Sequence, residues 1–408
     1  MVQRQGRQLP RRIAFVSSNF AWGGSEELWA ATAVALAEAG HRVHVFKHGL
    51  PRGHDSVRRL GALSCGLHEL GPLTRLVGRL PFLAALASPR MRMAVSVAML
   101  WLRLHVLRLF VRRFDVVIIS QGGNHDGWPI AALCRRLGLD YALVSHKASD
   151  LHWPSDRWRR GIRGAFAHAR ANYFVSRHTQ RLTEEQIGAR VDHASLVLNP
   201  FNVAWDRPQP WPSANDGLRL GCVGRLNAVE KGQDLLLRVL ASDKWRARPL
   251  SVTFLGDGGQ RAGLEELAAF LRLDSVRFAG VRTDVAAFWA DHHALALPSR
   301  AEGLPLVLIE ALLSGRIAIV TDVGGNAELL EEGVNGFIAE APTESSLDSA
   351  LERAWQRRDE WCALGAAAAV RLRTKIPADP AKLFAARILD LVGSPNQGGT
   401  ACEHSARN

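Results

Sequence analysis

Cysteine is scarce in this chain and does not cluster. Cys65, Cys134, Cys222, Cys362 and Cys402 are odd in number, far apart, and form no C-x-x-C pair. That argues against a disulfide framework or a zinc site and fits a reducing cytosol. Lysine is also rare, so the formal net charge of +12 is carried almost wholly by arginine. Long apolar runs are missing. Leu73–Phe114 is apolar but studded with eight arginines between Arg75 and Arg113, and its longest charge-free part is Met93–Leu102. A bilayer-spanning helix needs roughly 20 apolar residues. The opening MVQRQGRQLPRR lacks the apolar core of a signal peptide. No aromatic-interleaved basic stripe, as in single-strand nucleic-acid binders, is present.

The composition is otherwise that of a globular protein, with 47% hydrophobic and 22% charged residues in 408. That length suits two domains of about 200 residues each. The basic excess points to an anionic partner, whether nucleic acid, acidic lipid or a phosphorylated substrate. Buried-strand patterns are read at Ile13–Ser17, Arg42–Phe46, Asp115–Ser120, Tyr141–Ser145, Asn172–Ser176 and Ser195–Leu198. Gly23-Gly24 follows the first of them, and Ser25 is expected to cap the next helix, which Gly40 ends. Such a glycine loop over a helix N-terminus can receive a diphosphate. Pro200, Pro208, Pro210 and Pro212 mark residues 200–216 as a linker between domains 1–199 and 217–380. The strand pattern then restarts at Leu218–Val223, Ser251–Leu255, Val276–Ala279, Ala294–Leu297 and Ile317–Val320. One helix is expected from Thr343 to about Leu372, a last one over 381–392, and a disordered tail over 393–408.

Pro298–Glu340 carries the most information. Glu302 lies in the loop after Ala294–Leu297, and Glu310 lies on the helix that follows, closed by Gly315. This places a carboxylate and free backbone N–H groups at the carboxyl end of a parallel sheet, where open α/β sheets bind ligands. The E-x7-E pair inside PSRAEGLPLVLIEAL, followed by VTDVGGNAELL and NGF, resembles the donor-binding half of the family 4 glycosyltransferases. The first-strand loop GGSE is also similar. The resemblance implies an α/β protein with two Rossmann-like domains facing across a cleft, the GT-B architecture. It also implies that the terminal helix returns to the first domain.

The resemblance further implies a retaining transferase that uses a nucleotide-sugar as co-substrate, without a cofactor. Arg225 and Lys231, in GRLNAVEKG, match the cations that hold the donor diphosphate. Arginine grips phosphate bidentately and lysine acts as a point charge. Gly24 and the backbone of Gly303, Leu304 and Leu306 are further expected diphosphate contacts. Pro305 replaces a residue that is often glycine in the family and has no N–H to give. Glu310 matches the ribose-binding carboxylate and Glu302 the carboxylate facing the donor sugar. His146, after Tyr141–Ser145, matches the active-site histidine, with His125 and Asp126 as rivals one strand earlier. No D-x-D triad of the metal-dependent single-domain class is seen, so no essential metal is expected.

The acceptor is expected to be a glycan, lipid-linked or a polysaccharide precursor. Leu73–Phe114 reads either as a helix packed on the sheet with its arginine face in water or as an Arg-rich amphipathic helix on an anionic membrane, which would place the work at the inner membrane face of the cytoplasm. No nucleic-acid partner is expected. Two rival readings remain: a phosphorylase of this architecture, for which no compelling pyridoxal lysine is found, and a basic nucleic-acid or nucleotide-binding protein on a degenerate GT-B fold.

Overall fold

The computed structural model describes residues 9–19, 22–70 and 114–394. The arginine-studded Leu73–Phe114 stretch, except Phe114, and the tail from residue 395 onward lie outside the described residues. Among the described residues two all-parallel sheets form. The first has seven strands in the order β3-β2-β1-β4-β5-β6-β7. They are β1 (Arg12–Ser17), β2 (Arg42–Lys47), β3 (Gly66–Glu69), β4 (Val116–Gln121), β5 (Tyr141–Ser145), β6 (Ala171–Phe174) and β7 (Ala194–Leu196). The second has six, in the order β10-β9-β8-β11-β12-β13. They are β8 (Leu218–Val223), β9 (Leu250–Leu255), β10 (Val276–Gly280), β11 (Ala294–Leu297), β12 (Ile317–Thr321) and β13 (Gly336–Ala339).

Central parallel strands are covered on both faces, so they read as unbroken apolar runs. β11 (ALAL) and β12 (IAIVT) are buried at every residue, in register Ala294↔Ile317 to Leu297↔Val320. Their side chains split between two clusters, Ile317 and Ile319 on one face, Ala318 and Val320 on the other. Each fully buried Ile or Val contributes about 1.5–3 kcal/mol. The expected runs form strands in both halves. β3 and β13 were not expected; β3 is only half-buried and carries two polar residues in GLHE.

Three local readings are corrected. Ser25 does not cap the first helix. Gly24–Glu38 has Gly23 at its N-cap, and the Ser25 hydroxyl donates to Glu26 Oε2 at 2.6 Å. The expected single helix after Thr343 is two, Glu344–Gln356 and Trp361–Lys375, broken by the short turn Arg358–Glu360. The break lets Trp361 bury its ring and donate from Nε1 to the Ala354 carbonyl at 2.8 Å. Gly393 still belongs to the last helix, Pro380–Gly393. That helix packs on the first-sheet domain, with Phe384 edge-on to Tyr173 and Phe384, Ala385 and Ile388 in its core. Part of the proline-rich segment is also docked, on the second-sheet domain. Buried Arg316 donates to the carbonyls of Trp289 and Pro210, and its guanidinium lies 5.1 Å over the Trp211 ring.

Candidate active site

Strand order decides where a ligand can sit. In the first sheet β1 neighbours β4, and in the second β8 neighbours β11, so each sheet has a switch point at its centre. Loops leaving the carboxyl ends of two such strands diverge and open a crevice. Here the loops after β1 and β4 face those after β8 and β11 across one cavity of about 750 Å³. Gly24, His146, Arg225, Lys231, Glu302, Gly303, Leu304, Leu306 and Glu310 all line it. The sequence-predicted residues are thus brought together, from two domains and over nearly 300 positions.

On the second-domain side, Lys231 ends the one-turn helix Ala228–Lys231. Its Nζ lies 2.6 Å from Glu302 Oε1, and the Ser299 hydroxyl donates to the same oxygen at 2.7 Å. Glu302 is buried. Gly232 fixes this corner: its φ is +63°, and a Cβ there would lie 1.9 Å from the Pro298 carbonyl oxygen. Pro305 is the N-cap of helix Leu306–Leu313, so its missing N–H falls where a helix needs none. Of the first-turn amides of that helix, Leu308 N donates to the Pro305 carbonyl at 3.2 Å, and Leu306 and Val307 line the cavity. Glu310, on the same helix, is buried, and its Oε1 accepts from Asn202 N at 3.0 Å and Asn202 Nδ2 at 3.1 Å. Burial raises its pKa against these two bonds, with the Glu27 charge adding to the rise.

On the first-domain side, His146 Nε2 lies 3.1 Å from the Ser120 hydroxyl. Burial pushes its pKa down to about 4, so the ring is neutral near pH 7. The Asn199 side chain beside it works against that shift, but neither Nδ1 of His146 nor Oδ1 of Asn199, which also lines the cavity, has a hydrogen-bond partner of ordinary geometry. Orphaned buried polar atoms are rare and call for an explanation, and a ligand hydroxyl would satisfy both. The rivals His125 and Asp126 do not line the cavity. His125, at φ +78°, turns to Gln186 at 3.0 Å, and Asp126 accepts from the Ser18 hydroxyl at 2.6 Å.

Close approaches hold the two walls together. A Cβ on Gly303 would lie 1.9 Å from the His146 carbonyl oxygen, and one on Gly24 would meet Leu306 at 3.1 Å. Lys147 pairs with Glu230 across the cleft at 2.8 Å. Beneath the first loop, buried Lys47 and Glu26 pair at 3.6 Å, and Glu26 receives the Ser17 and Ser25 hydroxyls. Lys147 and Lys231, two of only six lysines in the chain, line the cavity, and Lys47 lies buried beneath its first loop. Among the described residues no three His, Cys, Asp or Glu side chains group to hold a metal.

Sequence reasoning missed Asn199, Asn202, Lys147 and Glu230. Asn199 had a signal, since it follows the run Ser195–Leu198 at a strand's carboxyl end. The other three act through partners about 80 or more positions away, which spacing does not reveal.

Comparison with known proteins agrees with this geometry. Residues 22–205 match the family model Glycosyltransferase Family 4, and residues 217–357 match Glycosyl transferases group 1. The GDP-mannose-dependent alpha-(1-6)-phosphatidylinositol monomannoside mannosyltransferase of Mycobacterium tuberculosis is 31% identical over 285 residues, 64% of this chain and 72% of that protein. The Vi polysaccharide biosynthesis protein VipC/TviE of Salmonella typhi is 39% identical over 108 residues, 26% of this chain but only 19% of that protein. In fold, the chain is similar to Anabaena Alr3699/HepE in its complex with UDP, with a TM-score of 0.71 at 18% identity, covering 93% of this chain and 99% of that one. Among the described residues no helix is long and apolar enough to cross a membrane. Family models over both halves, two facing Rossmann-like domains and a shared cavity lead to one conclusion: the chain belongs to the group 1, family 4 glycosyltransferases of GT-B architecture.

Proposed function

We propose that this glycosyltransferase takes its sugar from a nucleoside-diphosphate-sugar and passes it, with retention of configuration, to a lipid-linked or polysaccharide-precursor acceptor. The observation that carries the reading is the cation pair Arg225 and Lys231 at the second switch point, facing the Gly23-Gly24 loop of the first. A departing diphosphate needs its developing charge stabilised by fixed cations and dipoles. Arg225, Lys231 and the amides at the start of Leu306–Leu313 supply both in this reading. Lys231 now rests on Glu302, so a bound diphosphate shares that cation. Glu302 then orients the sugar hydroxyls and favours positive charge at the anomeric carbon. Glu310 takes the ribose hydroxyls, exchanging its Asn202 bonds for them.

Neutral His146, with Asn199 beside it, positions a sugar hydroxyl and the acceptor and is not the base. Double displacement needs a carboxylate nucleophile on the opposite face of the sugar. None of the cavity residues on the first-domain wall is Asp or Glu. Attack on the leaving-group face follows, with the departing phosphate taking the acceptor proton. No metal or cofactor enters this scheme. GDP-mannose dependence and the UDP complex belong to the proteins named above; they support a nucleotide-sugar donor for this chain without choosing the nucleotide. The cytoplasmic placement rests on the scattered, unpaired pattern of the five cysteines, and the peripheral one on the arginine-studded Leu73–Phe114 stretch. A thermal-shift screen of nucleoside diphosphates, nucleotide-sugars and polynucleotides tests the donor class. Stabilisation by one nucleoside diphosphate and its sugars supports the reading, and stabilisation by polynucleotide alone contradicts it. NMR of the product's anomeric configuration tests retention; an inverted product would overturn the mechanism.

A further inference from the structure

A second cavity, of about 530 Å³, lies behind the first and shares only Leu304 with it. That volume falls within the roughly 300–1,000 Å³ of small-molecule sites. It opens where the chain crosses between domains. Leu196, Val197 and Leu198 leave the first sheet on one side, and Ile376, Pro377 and Pro380 lead back to it on the other. Its walls are mainly aliphatic, and Leu383 of the terminal helix remains 42% exposed beside it. Isolated exposed leucines are ordinary; one facing a cavity of other apolar side chains is not.

The charge around this cavity is one-sided. Arg177, Lys375 and Arg387 come from three different helices, against one carboxylate, Glu328. None of the three cations has an ion pair among the described residues. Glu328 does not neutralise them by pairing, because its two oxygens accept from the backbone N–H groups of Arg177 at 3.0 Å and His178 at 2.8 Å. Arg387 spends one N–H on the Leu196 carbonyl, which leaves the rest of its guanidinium fork. An apolar cavity with surplus fixed cations complements a molecule with an alkyl body and an anionic head.

We propose that this cavity binds a free amphipathic anion, a single phosphate head on a short alkyl or prenyl chain. The head meets Lys375, Arg177 and Arg387, and the chain lies along Leu383, Ile376 and Leu198. Such an occupant touches both domains at their crossing and Leu304 at the edge of the catalytic cavity.

Octyl phosphate, kept below its micelle concentration, is the probe, titrated calorimetrically into the full chain. Octyl glucoside and inorganic phosphate are the neutral and tail-less comparisons. Octyl phosphate is expected to bind at least tenfold more tightly than either. Lys375→Glu and Leu383→Asp, both at solvent-accessible positions, are expected to weaken it at least tenfold at unchanged melting temperature. Lys382→Glu, on the helix of Leu383 but outside the cavity, leaves it unchanged. Excess of whichever of UDP and GDP binds the donor site does not displace the probe, which separates this site from the donor site. Absence of binding, equal binding of octyl glucoside, displacement by that nucleotide, or binding indifferent to Lys375→Glu and Leu383→Asp would each overturn the proposal.

Discussion

Lys231 and Arg225 share a proposed role but sit in different surroundings, and that difference is measurable. Lys231 is the cation against buried Glu302. Lys231→Ala therefore removes a charge-assisted bond and lowers stability by about 1.5–3 kcal/mol, read from urea unfolding. Arg225 has no ion pair among the described residues, so Arg225→Ala leaves stability within about 0.5 kcal/mol. The two glutamates separate as well. Glu310→Gln weakens nucleoside diphosphate binding, whereas Glu302→Gln lowers kcat more than that affinity; the reverse pattern would mean that the roles are exchanged. Histidine gives a pH test. Burial brings His125, His146 and His293 down to about 4 from 6.5. Between those values the unfolded chain binds protons that the folded chain does not. The three rings therefore lower stability as pH drops from 6.5 toward 4, by at most about 1.4 kcal/mol per pH unit for each ring, while the carboxyls of Asp126 and Glu310, which burial raises, act in the opposite sense. Imidazole NMR signals with midpoints near 6.5 would contradict this. Arg225, Lys231, Glu302, Glu310 and His146 were legible because each follows a strand end or belongs to a short motif. Asn202 was not, because its meaning lies in Glu310, 108 positions away.

Among elements, contacts between the domains decide the outcome. The helix Arg177–Ile187 begins at Ser176, whose side chain accepts from Thr179 N. Its other first-turn amides are met by Glu328 of the opposite domain. A carboxylate at a helix N-terminus satisfies free N–H groups and the helix dipole together. Glu328→Ala is expected to cost about 1–2 kcal/mol by urea unfolding. Glu328→Gln, which keeps an acceptor, should recover part of that loss; equal losses would deny the cap. Gly303→Ala drives a methyl into the His146 carbonyl and forces the two walls apart. Turnover should drop more than tenfold, and an active Gly303→Ala enzyme would show that this contact is not kept during catalysis. Sequence patterns located the central strands because burial on both faces leaves unbroken apolar runs. They did not locate β3, a half-buried edge strand, nor the break after Gln356. Nothing in QRRDE opposes a helix, and the break is imposed from outside by the burial of Trp361.

At the scale of the whole molecule, two parallel sheets place their switch points opposite each other, and the terminal helix fastens the second domain's end to the first. The two-domain plan was legible from the restart of strand patterns at Leu218 and from the prolines before it. Which of those prolines are docked was not. Arg316 anchors the stretch around Pro210 to the second domain, through contacts that sequence spacing does not encode. The central claim is that this shared cavity holds a donor diphosphate on Arg225 and Lys231. Calorimetric titration of UDP and GDP into the wild type and Arg225→Ala tests it most directly, because Arg225→Ala spares the Glu302 pairing. One of the two nucleotides should bind the wild type, and Arg225→Ala should weaken it by roughly ten- to a hundredfold, the equivalent of about 1.5–3 kcal/mol. Unchanged affinity in Arg225→Ala would contradict the assignment of the cleft.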